Sequence, residues 1–140
     1  DDARAWLKAM AARGWTAPTW PKEYTGGGLD PAHRSILSQE MARIKALPPS
    51  TGMGLAMIGP TLLELGTEEQ KQKWLPKLAS GEMLAGIAMT EPGCGSDLQA
   101  IRARAKLVDD HYVVDGSKTF ITNGFSANLL VVVVREPRAP

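Results

Sequence analysis

Two short segments carry the residues whose types and spacing could do chemistry. Met89-Thr90-Glu91-Pro92-Gly93-Cys94-Gly95-Ser96-Asp97 sets two glycines around one small residue, followed by a hydroxyl and a carboxylate. Glycines at that spacing let a backbone turn tightly and approach a phosphate closely, with backbone N–H groups as donors. Downstream, Lys118-Thr119-Phe120-Ile121-Thr122-Asn123-Gly124 sets an aromatic ring between two threonine hydroxyls. Each segment alone also fits a plainer role. Gly-rich turns without ligands outnumber cofactor loops, and a single Phe or Thr more often serves a core or a strand.

Other reactive residue types stand isolated. His33 and His111 have no carboxylate or cysteine partner at ligand spacing, so they read as solvated surface histidines, and no metal set is expected. Cys94 has no second cysteine to pair with and no neighbour that would activate it as a nucleophile, which leaves a small loop residue. Gly52-Met53-Gly54 and Gly26-Gly27-Gly28 neither follow a strand nor complete G-x-G-x-x-G, so they read as helix packing and a loop. The 16 basic and 15 acidic residues are intermixed, which provides no single-sign field for nucleic acid or an anionic membrane. No apolar run reaches membrane-spanning length. The lone cysteine fits a reducing compartment.

The elements that must position these segments change character along the chain. Asp2 to Arg13 reads as a short amphipathic helix ending at Gly14, with Trp6 and Met10 at i, i+4. Asp30 as N-cap and Pro31 at the first position predict a helix with Leu37, Met41 and Ile44 on one face, stopped by Pro48-Pro49. The run from Ser50 to Leu65 is apolar nearly all round, which predicts a buried core helix interrupted near Gly59-Pro60. Thr67-Glu68-Glu69-Gln70 reads as a capping box, and the helix after it turns Trp74, Leu75 and Leu78 inward as far as Gly81. Beyond residue 82 the period shortens. Ile101, Ala103, Ala105 and Leu107 alternate with Arg102, Arg104 and Lys106, a half-buried strand with a solvated face. Tyr112-Val113-Val114 lies between turns at Asp109-Asp110-His111 and Asp115-Gly116-Ser117, and Leu129 to Val134 reads as a fully apolar, buried strand. Helices first and strands second make this α+β, with a helical part over 1–81 and a sheet part over 82–140.

On these residues the chain resembles the acyl-CoA dehydrogenase family. The specific matches are Thr90-Glu91-Pro92-Gly93-Cys94-Gly95-Ser96-Asp97 and Thr119-Phe120-Ile121-Thr122-Asn123-Gly124. Gly14-Trp15, Trp20-Pro21-Lys22-Glu23-Tyr24, Gly59-Pro60 and Gly66-Thr67-Glu68-Glu69-Gln70-Lys71 extend the likeness. Two such segments in the right order, at a helix-to-strand switch, make coincidence improbable. One local departure is Tyr24-Thr25-Gly26, where the family usually has Tyr-Gly-Gly.

The resemblance implies a helical N-terminal domain followed by the start of an antiparallel β-barrel domain. It also implies a fragment without the first helices, most of the second half of the barrel, and the C-terminal domain. It implies FAD as cofactor and α,β-desaturation of an acyl-CoA thioester, with hydride passing to the flavin, since no side chain accepts hydride. Ile87, Ala88, Met89, Thr90, Glu91, Pro92, Gly93, Cys94, Gly95 and Ser96 are the expected flavin-contacting segment, with Met89 and Thr90 at the pyrimidine edge. Phe120, Ile121 and Thr122 are the second, with Phe120 against the ring face and the Thr122 hydroxyl at the ring nitrogen that takes the hydride. Ser96 is also expected at the CoA portion of the substrate, and Met53, Leu55 and Met57 along the acyl chain. The catalytic base, a glutamate in the family, is expected beyond Pro140, so no catalytic residue is assigned in this chain. A homotetramer, an electron-transfer protein as acceptor, and a bacterial cytoplasmic or mitochondrial-matrix location complete what the resemblance implies, with no nucleic acid and no membrane insertion. An acyl-CoA oxidase or flavin monooxygenase on the same fold is the alternative enzyme. A non-catalytic remnant whose Leu129–Val134 strand serves partner assembly is the alternative outside enzymes.

Overall fold

The computed structural model describes residues 2–49 and 52–136. It divides into two compact units, Asp1–Leu84 and Ala85–Pro140, each considered by itself. In the first, α1 spans Asp2–Ala11, α2 Pro31–Arg43, α3 Gly59–Leu65 and α4 Glu68–Ser80. In the second, β1 spans Ala85–Ala88, β2 Arg104–Val108, β3 His111–Asp115 and β4 Leu129–Val132. Among the described residues, no helix is long and apolar enough to cross a membrane.

Local chemistry sets the helix starts. At α2 the Asp30 carboxylate accepts from the His33 N–H at 2.9 Å with Pro31 in the first turn, as the cap pattern predicts. That hydrogen bond, foremost, holds the Asp30 carboxyl below its ordinary range. At α4 the capping box closes both ways: Gln70 N–H donates to Thr67 Oγ1 at 3.2 Å, and Thr67 N–H donates to Gln70 Oε1 at 2.9 Å. The core of the helical unit gathers Met10, Ala17, Trp20, Tyr24, Ile58, Leu75, Leu78 and Ala79. Thr16 Oγ1 donates to Ala79 O at 2.6 Å, and the Tyr24 phenol donates to the Glu68 carboxylate at 2.9 Å. Burial, and then Glu68 beside it, push that phenol up to about 12, so it remains a donor across the ordinary pH range. Thr25 closes the turn after Tyr24 at φ 62, with its N–H on Lys22 O at 3.0 Å. The residue that departs from the family pattern thus occupies the left-handed conformation that glycine tolerates best.

The helical unit corrects one expectation. The apolar run to Leu65, whose Ser50 and Thr51 lie outside the described residues, is not a core helix here. Only Ile58 and Gly59 are buried within it, while Met57 and Leu65 are 42% and 77% exposed. The helix is not broken at Gly59-Pro60 either. A wide turn over Gly54–Ile58 sends the Gly59 N–H to Gly54 O, and α3 follows directly. The widened turn admits a proline without loss, because its missing donor falls in the first turn of α3. Gly59 is obligatory there, since a Cβ would strike the Trp20 ring. On α2, Leu37 and Met41 are half-buried but Ile44 is 57% exposed.

In the second unit, β2 and β3 form an antiparallel hairpin. β1 pairs with β4 in parallel, Ala85 opposite Leu129 through Ala88 opposite Val132. This departs from the antiparallel barrel expected, and no barrel forms among the described residues. Alternation and apolarity specify a strand without specifying its direction, and the unbroken apolar run of β4 suits a parallel strand. The strand from β4 then continues past β1: Val133 N–H reaches Ala88 O at 3.0 Å, and Arg135 exchanges bonds with Ala103 O and Ala105 N–H. Ile101, Ala103 and Ala105 are buried as the alternation predicts, but Leu107 is exposed, and β4 is half exposed rather than buried.

Candidate functional site

The segments 87–96 and 118–124, widely separated in sequence, lie against each other in the second unit. Beyond β1, Glu91 and Cys94 exchange backbone bonds at 2.9 and 3.1 Å, pinching Pro92-Gly93 into a tight turn. Thr119 N–H donates to Thr90 O at 3.0 Å. Asn123 Nδ2 donates to Ala85 O at 3.2 Å and so ties the far end of the second segment back to β1. Gly86 makes this approach possible, because a Cβ there would stand 2.8 Å from Thr122 O. Phe120 and Asn123 both hold left-handed backbone, at φ 54 and 63. For a phenylalanine that conformation is uncommon and carries strain.

A buried ion pair sits at the junction. Lys118 Nζ donates to Glu91 Oε1 and to Met89 O, both at 2.9 Å, with the two side chains 11% and 7% exposed. Glu91 also accepts from Arg102 N–H at 2.7 Å and Ala103 N–H at 2.9 Å. The Arg102 N–H, first, and Lys118 hold the Glu91 carboxyl down at about 2. The side chain of Glu91, expected within the flavin-contacting segment, is therefore committed to the protein's own backbone and to Lys118.

Other expected residues remain available. Phe120 is 92% exposed. The N–H groups of Met89, Thr90, Ser96 and Thr122, and the hydroxyls of Thr90, Ser96 and Thr122, have no partner among the described residues. Gly93 and Gly95 have no positive φ, and a Cβ at either would meet nothing within 4 Å. The fold of the chain itself thus does not require glycine at these two positions. Ile87 is half-buried, Ala88 and Cys94 are buried, and Pro92 is exposed. Met53, Leu55 and Met57 belong to the helical unit, where Met53 and Leu55 are half-buried and Met57 is exposed.

The histidines expected to be isolated each meet a carboxylate. His33 Nδ1 lies 2.9 Å from Asp30 Oδ2, and His111 Nδ1 lies 3.1 Å from Asp110 Oδ1, both pairs well exposed. Helix and turn geometry brings each pair together, and among the described residues no group of three or more metal-ligating side chains gathers around either.

Comparison with known proteins bears on what this geometry belongs to. The family profile described as acyl-CoA dehydrogenase, N-terminal domain, matches residues 1–82, and the one described as acyl-CoA dehydrogenase, middle domain, matches residues 86–140. The chain belongs to the acyl-CoA dehydrogenase family. It is 34% identical over 135 residues to acyl-CoA dehydrogenase IpdE1 of Mycobacterium tuberculosis, a match covering 96% of this chain and 35% of the relative. To (2S)-methylsuccinyl-CoA dehydrogenase of Cereibacter sphaeroides it is 38% identical over 129 residues, covering 92% and 24%. A crystal structure of acyl-CoA dehydrogenase from Geobacillus kaustophilus superposes with a TM-score of 0.73 at 40% identity, covering 94% of this chain and 34% of that one. The chain therefore spans about a third or less of the length of these relatives. Its helical unit followed by a small sheet unit agrees with that family's fold.

Within the family motifs, the Glu91–Lys118 pair is what the sequence reading missed. The available signal was a lysine abutting an apolar-aromatic segment and a glutamate inside a Gly-Pro turn. Neither residue discloses its partner without the fold.

Proposed function

We propose that this chain supplies the N-terminal helical domain, over about 1–81, and the leading part of a middle barrel domain, from about 82, of an FAD-dependent acyl-CoA dehydrogenase. The reaction is α,β-desaturation of an acyl-CoA thioester, with FAD, when bound, accepting the hydride. The observation that carries this reading is the junction of the two segments. Met89 and Thr90 on one side, and Phe120 and Thr122 on the other, are held together while their donors and the aromatic face stay free of other partners.

In this reading Thr90, Met89 and Thr122 donate to the flavin ring edge, where negative charge develops on reduction. Phe120 stacks on the ring, and its strained backbone is tolerated because that position serves binding. Gly93 and Gly95 leave room for a pyrophosphate, and the Ser96 hydroxyl serves phosphate and CoA. Cys94 and Pro92 shape the turn, Ile87 and Ala88 lead into it, and Glu91 acts through its carboxylate as a structural tie. Ser96, Met53 and Met57 contact substrate. The full protein acts as a homo-oligomer and passes electrons to an electron-transfer protein, in the bacterial cytoplasm or the mitochondrial matrix.

The test is anaerobic. The flavin spectrum of the protein containing this chain is recorded while short, medium and long acyl-CoAs are added, and bleaching is the expected result. Thr122→Ala is expected to slow that bleaching by roughly a hundredfold, the worth of one donor at a developing charge. Flavin that binds without bleaching, or whose reduced form is reoxidised rapidly by oxygen, would favour oxidase or monooxygenase chemistry instead. Protein without flavin would sink the assignment.

A further inference from the structure

Lys118 belongs to neither expected flavin-contacting segment, yet its ammonium is buried against the first of them. Its Nζ donates to the Met89 carbonyl, and the N–H of that same peptide unit belongs to Thr90, which has no partner among the described residues. A cation bonded to the oxygen of an amide draws electron density from its nitrogen, so the N–H at the other end becomes a stronger donor. The Thr90 carbonyl, in turn, is fixed by the Thr119 N–H at 3.0 Å, and Glu91 is anchored by the backbone of Arg102 and Ala103. Thr90 is thereby gripped on both sides, and the cation that grips it precedes Phe120 by two residues.

We infer that Lys118 is a positioning residue that tunes the bound flavin: through the Met89–Thr90 peptide it strengthens the Thr90 N–H as a donor to the reduced ring, and Glu91 holds the ammonium in place. This rests on the flavin-binding reading above. The direction follows from charge. The reduced flavin carries more negative charge at its pyrimidine edge than the oxidised form, so a stronger donor there favours reduction. Its loss should weaken binding of reduced flavin relative to oxidised flavin by about threefold, if a charged hydrogen bond loses a tenth to a third of its strength.

Three flavin-loaded proteins decide it, each containing the whole chain: wild type, Lys118→Met, and the double variant Lys118→Met with Glu91→Gln. Midpoint potential, flavin affinity and melting temperature are measured for each. Lys118→Met alone leaves a buried carboxylate without its cation, so its melting temperature should fall. In the double variant no buried carboxylate is left unpaired, and the amide oxygen introduced by Glu91→Gln still accepts from the Arg102 and Ala103 N–H groups, so part of the lost stability should return. The expected result is a midpoint potential lowered in both variants, with the double variant not returning to the wild-type value as its melting temperature rises. Potential that recovers together with stability would overturn the inference and leave Lys118 a packing residue. Unchanged potential in both would overturn it as well. Wild-type protein that binds no flavin would remove the underlying reading and this inference with it, an outcome visible before any variant is made.

Discussion

At the scale of single residues, Glu91 concentrates more constraints than any other side chain in the sheet unit. One carboxylate receives two backbone N–H groups and an ammonium, and its carboxyl lies at about 2 against an ordinary 4.5. A group whose folded value is depressed adds stability that is fully present above the ordinary value and disappears as pH falls through the folded one. The tie should therefore hold above about pH 4.5 and be lost progressively towards pH 2. Hydrogen exchange at the Arg102 and Ala103 amides, corrected for intrinsic rates, reports this directly: their protection should collapse over that window. In Glu91→Gln the same amides should show no such pH step. Persistent protection at pH 2 in the wild type would contradict the arrangement.

At the scale of elements, local devices were legible from sequence and longer-range ones were not. Asp30, Pro31 and the Thr67–Gln70 box act within one helical turn, so their spacing alone reveals them. Replacing Thr67 with alanine should cost about 1 kcal/mol of stability, measurable by urea unfolding followed through the fluorescence of Trp74 on α4; an unchanged midpoint would mean that the box contributes nothing. The stretch ending at Leu65 misled because a segment apolar all round has no stripe to show which side is covered. The direction of β4 was equally hidden, since pairing with β1 depends on a partner far away in sequence. The two candidate segments were readable through their family motifs. What holds them together, Lys118 on Met89 and Asn123 on Ala85, joins residues across the whole unit and leaves no periodic trace.

At the scale of the whole molecule, apolar surface is left open. Leu107, Tyr112, Val113 and Val114 on the hairpin, and Leu130, Val131 and Val132 on β4, are each between 39% and 57% exposed. Strands of this kind recruit other strands. The 140-residue chain alone should associate as its concentration rises, detected by light scattering, and a monodisperse monomer at high concentration would contradict that. The parallel pairing of β1 with β4 also has a bearing on time. Because Ala85 waits for Leu129, a ribosome must release nearly all of the intervening chain before that ladder can close, and closing so long a loop is slow. The junction built on this ladder consequently assembles only after Leu129 and the strand around it have been made and released. Until then the segment after β1 is exposed to proteases and to premature pairing, and a ligand that grips both halves of the junction would shorten that vulnerable interval.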